Sequence, residues 1–123
     1  EFRGNFVYSL RTWIKEDTVL HQLYVDSWYR ANDWFYFRGA KDQFQHDLEF
    51  DRIDSGVDCS NPYLCTYFET FGAMVPHKKL TKIKNEGYKV KFYSHSGNHV
   101  ILNLTPEQIK MQLSTLSRQK PKF

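Results

Sequence analysis

The stretch 54–72, DSGVDCSNPYLCTYFETFG, constrains the fold more than any other part of the chain. It holds both cysteines of the protein, Cys59 and Cys65. Residues flanking them alternate: Ile53, Val57 and Cys59 before, then Cys65, Tyr67, Glu69 and Phe71 after. Such alternation marks half-buried strands. Between the cysteines, Ser60, Asn61 and Pro62 supply turn chemistry, because proline fixes φ and asparagine tolerates unusual backbone angles. Two antiparallel strands closed by a short loop bring facing residues to within about 4.5–5.5 Å, inside the Cα range of a disulfide. The segment predicts a disulfide-pinned hairpin.

The C-x5-C spacing fits neither a redox CxxC nor a zinc knuckle, and no histidine lies near the pair in sequence. A structural disulfide implies an oxidising compartment. Residues 1–4 show no apolar signal-peptide core and read as a remnant of cloning on a mature or trimmed chain, one that a segment absent here would anchor to a membrane. No apolar run approaches the roughly 18 residues of a membrane helix. At 123 residues the chain suits a single domain, 1–123, with a frayed tail at 119–123. The net charge of +3 is spread along the chain, with modest clusters at 78–84 and 118–122. A nucleic-acid binder concentrates its basic residues on one face, so nucleic acid is not an expected partner.

Taken in order, 6–14 reads as a first strand and Lys15, Glu16 and Asp17 as a turn. Residues 20–29 return, with Leu23, Val25 and Ser27 facing one way and Tyr24, Asp26 and Trp28 the other. A turn at 30–33, a buried strand at 34–37 and a polar connector at 39–45 follow. The next strand begins at Leu48, and its alternation changes phase near Arg52, which predicts a β-bulge. A short amphipathic helix near 77–86 buries Leu80 and Ile83 and ends at Gly87. Strands at 88–93 and 100–104 make a second hairpin. Thr105, Pro106 and Gln108 open a C-terminal helix near 105–118, with threonine as cap and glutamine completing a capping box; Ile109, Leu113 and Leu116 form its apolar stripe. The fold class is α+β, β-dominated: an antiparallel sheet or sandwich of about seven strands with two helices, since short connections cannot make parallel crossovers.

Candidate chemistry is sparse. His95 and His99 bracket a turn and could share a metal; two exposed turn histidines are the competing reading, since nothing on a turn fixes the rings. Glu69 falls on an inward alternation position and needs a partner there, because an unpaired buried charge is costly; Arg11, Arg30, Arg38 and Arg52 are the candidates. An ion pair is the structural reading, a perturbed acid the functional one. Trp28, Trp34, Tyr36 and Tyr67 could stack sugars or single-stranded nucleic acid, or simply pack the strands. There is no GxSxG, no phosphate-binding glycine loop and no indicated cofactor.

One pattern spans most of the chain: HQLYV at 21–25, Trp34 and Tyr36 followed by Ala40, Asp51 and Arg52 ahead of Cys59, and Cys65 followed by Tyr67 and Glu69. It resembles small extracytoplasmic domains of Gram-negative bacteria, often lipoprotein-like. The resemblance implies a periplasmic or secreted setting and a cysteine disulfide, and carries over no catalytic residue. The expectation is a non-enzymatic extracytoplasmic domain that binds a protein or cell-envelope component through Trp28, Trp34, Tyr36, Tyr67, Glu69 and Arg52. Two alternatives stand beside it: a small hydrolase or metal-dependent enzyme using His95, His99 and an acidic residue, and a single-strand nucleic-acid module.

Overall fold

A computed structural model describes residues 4–60 and 64–119. The elements are β1 (Asn5–Lys15), β2 (Thr18–Ala31), β3 (Phe37–Asp42), β4 (Asp47–Leu48), β5 (Phe50–Asp58), β6 (Cys65–Val75), α1 (His77–Ile83), β7 (Tyr88–Ser94), β8 (His99–Leu104) and α2 (Pro106–Gln119). The strands form two antiparallel four-stranded sheets, ordered β1-β2-β6-β5 and β4-β3-β7-β8. The two-residue β4 brings the strands to eight among the described residues.

The alternation of β2 is realised: Leu23, Val25 and Ser27 are buried, while Tyr24, Asp26 and Trp28 face outward. Glu16 and Asp17 both take positive φ, 51° and 64°, in a two-residue hairpin loop whose twist matches the flanking strands. The inner faces meet through Leu23, Val25, Phe71 and Ala73 on one side and Phe37, Ala40, Val90, Phe92 and Leu102 on the other. Phe71 bridges the layers, with ring centroids 4.7 Å from Phe37 and 5.0 Å from Phe92. Leu80 and Ile83 of α1 and Ile109 of α2 extend the same core. Thr105 caps α2 as predicted: Gln108 N–H donates to Thr105 Oγ1 at 3.2 Å, and Thr105 N–H to Gln108 Oε1 at 2.8 Å. The Tyr8 hydroxyl of β1 donates to the Asn103 carbonyl of β8 at 3.1 Å, and Gln112 of α2 to Thr12 of β1 at 2.8 Å.

The cysteine hairpin forms, with Cys59 bonded to Cys65. Asn61 and Pro62 of its loop, and the tail at 120–123, lie outside the described residues. The bulge also forms, as a register shift between Arg52 and Asp54. Two boundaries differ from expectation. Residues 34–36 are not a strand, and the strand begins at Phe37 and runs through residues expected to be a polar connector, to Asp42. The reason is long-range: the N–H groups of Tyr36 and Phe37 turn toward the Glu69 carboxylate, and the chain joins β7 only from Phe37 onward.

Candidate functional site

Glu69 sits on the inner face of β6, fully buried, opposite Ser27 of β2 and Ser55 of β5. Its carboxylate gathers four donors. Arg52 Nη1 reaches Oε1 at 2.6 Å and Phe37 N–H reaches the same oxygen at 3.0 Å. Tyr29 O–H reaches Oε2 at 2.5 Å, and Tyr36 N–H at 3.2 Å. Tyr36 has φ of 59°, and the left-handed turn there aims two successive N–H groups at the carboxylate, an anion-binding nest. The Arg52 guanidinium also donates to the Phe37 carbonyl at 3.1 Å and lies 4.1 Å from the Tyr36 ring centroid, a cation–π contact. Burial, then donation to Glu69, pushes the Tyr29 phenol well above its ordinary range, so it stays protonated.

Of the residues singled out in sequence, Tyr36, Tyr67, Glu69, Arg52 and Trp34 come together here. Tyr67 stacks on Tyr29 at 5.5 Å and meets Trp34 edge-on at 4.7 Å. Trp28 does not join them, because it points from the opposite face of β2. Chemically the cluster is a lock. Each carboxylate oxygen already accepts two donors, and these tie β2, β5 and β6 to the 33–37 loop.

A second polar cluster, unmarked in sequence, closes the loop between β3 and β4. Asp42 Oδ1 accepts the N–H groups of Phe44 at 2.9 Å and His46 at 3.0 Å. Its Oδ2 accepts the Tyr88 hydroxyl at 2.8 Å and the Lys79 ammonium. Burial alone would raise the Asp42 carboxyl; the Lys79 and Tyr88 bonds and the two backbone donors outweigh it and hold the group below its ordinary value. Burial, then donation to Asp42, pushes the Tyr88 phenol up. Lys79 also donates to His46 Nδ1 at 2.7 Å.

A third cluster is a histidine pair. His21, fully buried on the inner face of β2, places Nε2 2.8 Å from Nδ1 of His77, the first residue of α1. Its Nδ1 lies 2.7 Å from Thr12 Oγ1. Burial, then the neighbouring His77, lowers His21 to about 4. One signal for it was present in the sequence: His21 shares the inward parity of Leu23 and Val25.

His95 is exposed in the β7–β8 turn, with its N–H bonded to the Tyr36 carbonyl at 2.8 Å, whereas His99 begins β8 opposite Tyr93. Among the described residues no group of three or more His, Cys, Asp or Glu side chains is placed to hold a metal ion.

The outer face of the first sheet is different in kind. Trp28 and Phe68 are direct cross-strand partners, 36 % and 45 % exposed, and Phe68 is opposite Gly56 of β5. A Cβ at Gly56 would meet nothing within 4 Å. Asp26, Asp54 and Asp58 share that face. No protein-family model, curated protein or solved structure matches this chain. No described helix is long and apolar enough to cross a membrane.

Proposed function

We propose that the chain is a non-enzymatic binding domain of an extracytoplasmic setting, docking a protein segment on the outer face of the first sheet. The observation that carries this reading is the Trp28–Phe68 pair, two large rings left half in solvent side by side beside an open glycine. Exposed aromatics in register are an energetic liability unless something covers them, and aromatic residues anchor interfaces. The carboxylates of Asp26, Asp54 and Asp58 outnumber the Arg30 cation beside Trp28 on this face and favour a partner that presents basic side chains next to apolar ones. β5 is an edge strand, so an extended segment can add to it while its side chains reach the rings. The buried acids, by contrast, are committed to internal partners. The disulfide is compatible with an extracellular or periplasmic setting.

An array of immobilised extended peptides tests this. Retention should favour sequences that alternate Lys or Arg with apolar residues, and it should be lost in a Trp28→Ser/Phe68→Ser variant that keeps its circular dichroism. Equal retention by the variant, or no basic-apolar preference, would overturn the reading.

A further inference from the structure

We infer that the outer face of the second sheet holds a binding site for a phosphate-type anion. Lys41 of β3 and Lys91 of β7 are direct cross-strand partners, and Lys89 lies on the same face two residues along β7. Tyr88, Val90 and Phe92 between them are buried, so the lysines project to the same side. Like charges directly opposite each other in a sheet destabilise it. Lysine is often placed on sheet edges to block unwanted pairing, but β3 and β7 are the two central strands, and that role does not apply. The charge is only partly neutralised locally: Lys41 forms an exposed ion pair at 3.7 Å with Asp47, its partner on β4, whereas no ion pair to Lys89 or Lys91 occurs among the described residues.

The lysines border a real concavity. A cavity of about 440 Å³ is lined by Lys41, Asp42, Gln45, Lys91 and Tyr93, and a smaller one of about 190 Å³ shares its first four residues and has Gln43, Lys89 and Ile101 in place of Tyr93. Tyr93 forms the floor, its ring lying where a side chain on Gly39 would be. Asp42 contributes no free negative charge, since its carboxylate is buried and engaged by Lys79, Tyr88 and two backbone N–H groups. What remains facing the larger cavity is two ammonium groups, Lys41 and Lys91, with the amide and phenol donors of Gln45 and Tyr93, and Lys89 adds a third ammonium at the smaller one. That set is matched to a phosphoryl group, whose several oxygens accept charge-assisted hydrogen bonds. The phosphoryl group belongs either to a soluble ester or to a lipid headgroup. The face lies on the sheet opposite to Trp28 and Phe68, so this site stands independently of the peptide-docking reading.

The test is an amide-resonance titration with inorganic pyrophosphate, alongside sedimentation with phosphatidylcholine vesicles with and without phosphatidylglycerol. Expected are shifts at Gly39, Lys41, Lys91 and Tyr93, with affinity reduced about tenfold or more in a Lys41→Gln/Lys91→Gln variant. A Lys78→Gln/Lys84→Gln variant, which removes the same charge from α1 and its C-terminal end, should bind as the parent does. The thermal midpoint of Lys41→Gln/Lys91→Gln without ligand should not fall, because a repulsion is removed. Pyrophosphate binding without vesicle binding assigns a soluble ester; lysine-dependent sedimentation with the anionic vesicles assigns a headgroup. Shifts centred elsewhere, equal loss in both double variants, or no binding in either arm would overturn the site.

Discussion

His21 Nε2 and His77 Nδ1 lie 2.8 Å apart, joining the inner face of β2 to the first residue of α1, with Thr12 of β1 on the other side of His21. A bond at that distance needs one nitrogen protonated and one bare, so doubly charging the pair breaks it. The Gln112 amide donates to the same Thr12 oxygen, so α2 depends on the arrangement too.

Acid should therefore loosen the fold before the carboxylates titrate. His21 in the folded chain takes up its proton only near 4, against an ordinary value of 6.5. Between those values the unfolded chain binds more protons, so stability falls as pH falls. It is complete above pH about 6.5 and reduced by about 3 kcal/mol once pH is below both values. Urea unfolding across this range should show the slope, and His21→Gln should flatten it. A parent curve level from about pH 7 to 5 would refute the linkage.

The Glu69 lock predicts a different loss. Glu69→Ala removes the shared acceptor of Arg52, Tyr29 and the N–H groups of Tyr36 and Phe37, leaving the partly buried Arg52 cation without its carboxylate. The expected cost is about 3–5 kcal/mol in the urea midpoint analysis. Arg52→Lys should cost less, because it keeps the charge and gives up the flat guanidinium over Tyr36. A Glu69→Ala loss below about 1 kcal/mol would mean that the lock is not holding the 33–37 loop.

These clusters also show which parts of the molecule were legible in the sequence. The alternation of β2, the bulge at Arg52 and the Thr105–Gln108 box depend on local periodicity and local side-chain chemistry, and each could be read directly. Residues 34–37, WFYF, have the composition of a strand, yet the backbone at 36 and 37 answers to Glu69, more than thirty positions away. Inward parity singled out Glu69, and its partner was one of four arginines that parity alone could not separate. Lys41 and Lys91 become neighbours only through the pairing of β3 with β7, and His77 reaches His21 only through the docking of α1. Register and docking are set by the whole core, so no window of sequence contains them.

Two glycines should respond oppositely to alanine. At Gly39 a Cβ would lie 2.3 Å from the Tyr93 Cζ and hydroxyl, so the ring must leave the sheet. The expected cost is about 1–3 kcal/mol, with weakened pyrophosphate binding because the floor of the cavity moves. At Gly56 nothing lies within 4 Å, and the residue is in a strand without positive φ. Gly56→Ala should be neutral or stabilise by up to about 1 kcal/mol, since the unfolded chain loses freedom. Thermal melts of both variants decide the matter; a destabilised Gly56→Ala would show that the face beside Phe68 is not open.

The Cys59–Cys65 bond closes a short loop, six positions apart, between β5 and β6. By loop entropy such a closure is worth about 2 kcal/mol. It is placed where β5 most needs it: beyond the bulge, β5 pairs only with β6, and Ile53, Ser55 and Val57 are exposed. Reduction should therefore act locally first, with faster amide exchange at 53–58 and at Phe68 and little change in β7 and β8. Intact mass with and without reductant, with thiol alkylation of the unfolded protein, establishes the oxidised state before exchange is measured. Two alkylatable thiols in protein never exposed to reductant would remove the support for an oxidising compartment. Exchange that rises equally in both sheets would show instead that the bond stabilises the whole domain and not the strand beside the Trp28–Phe68 face.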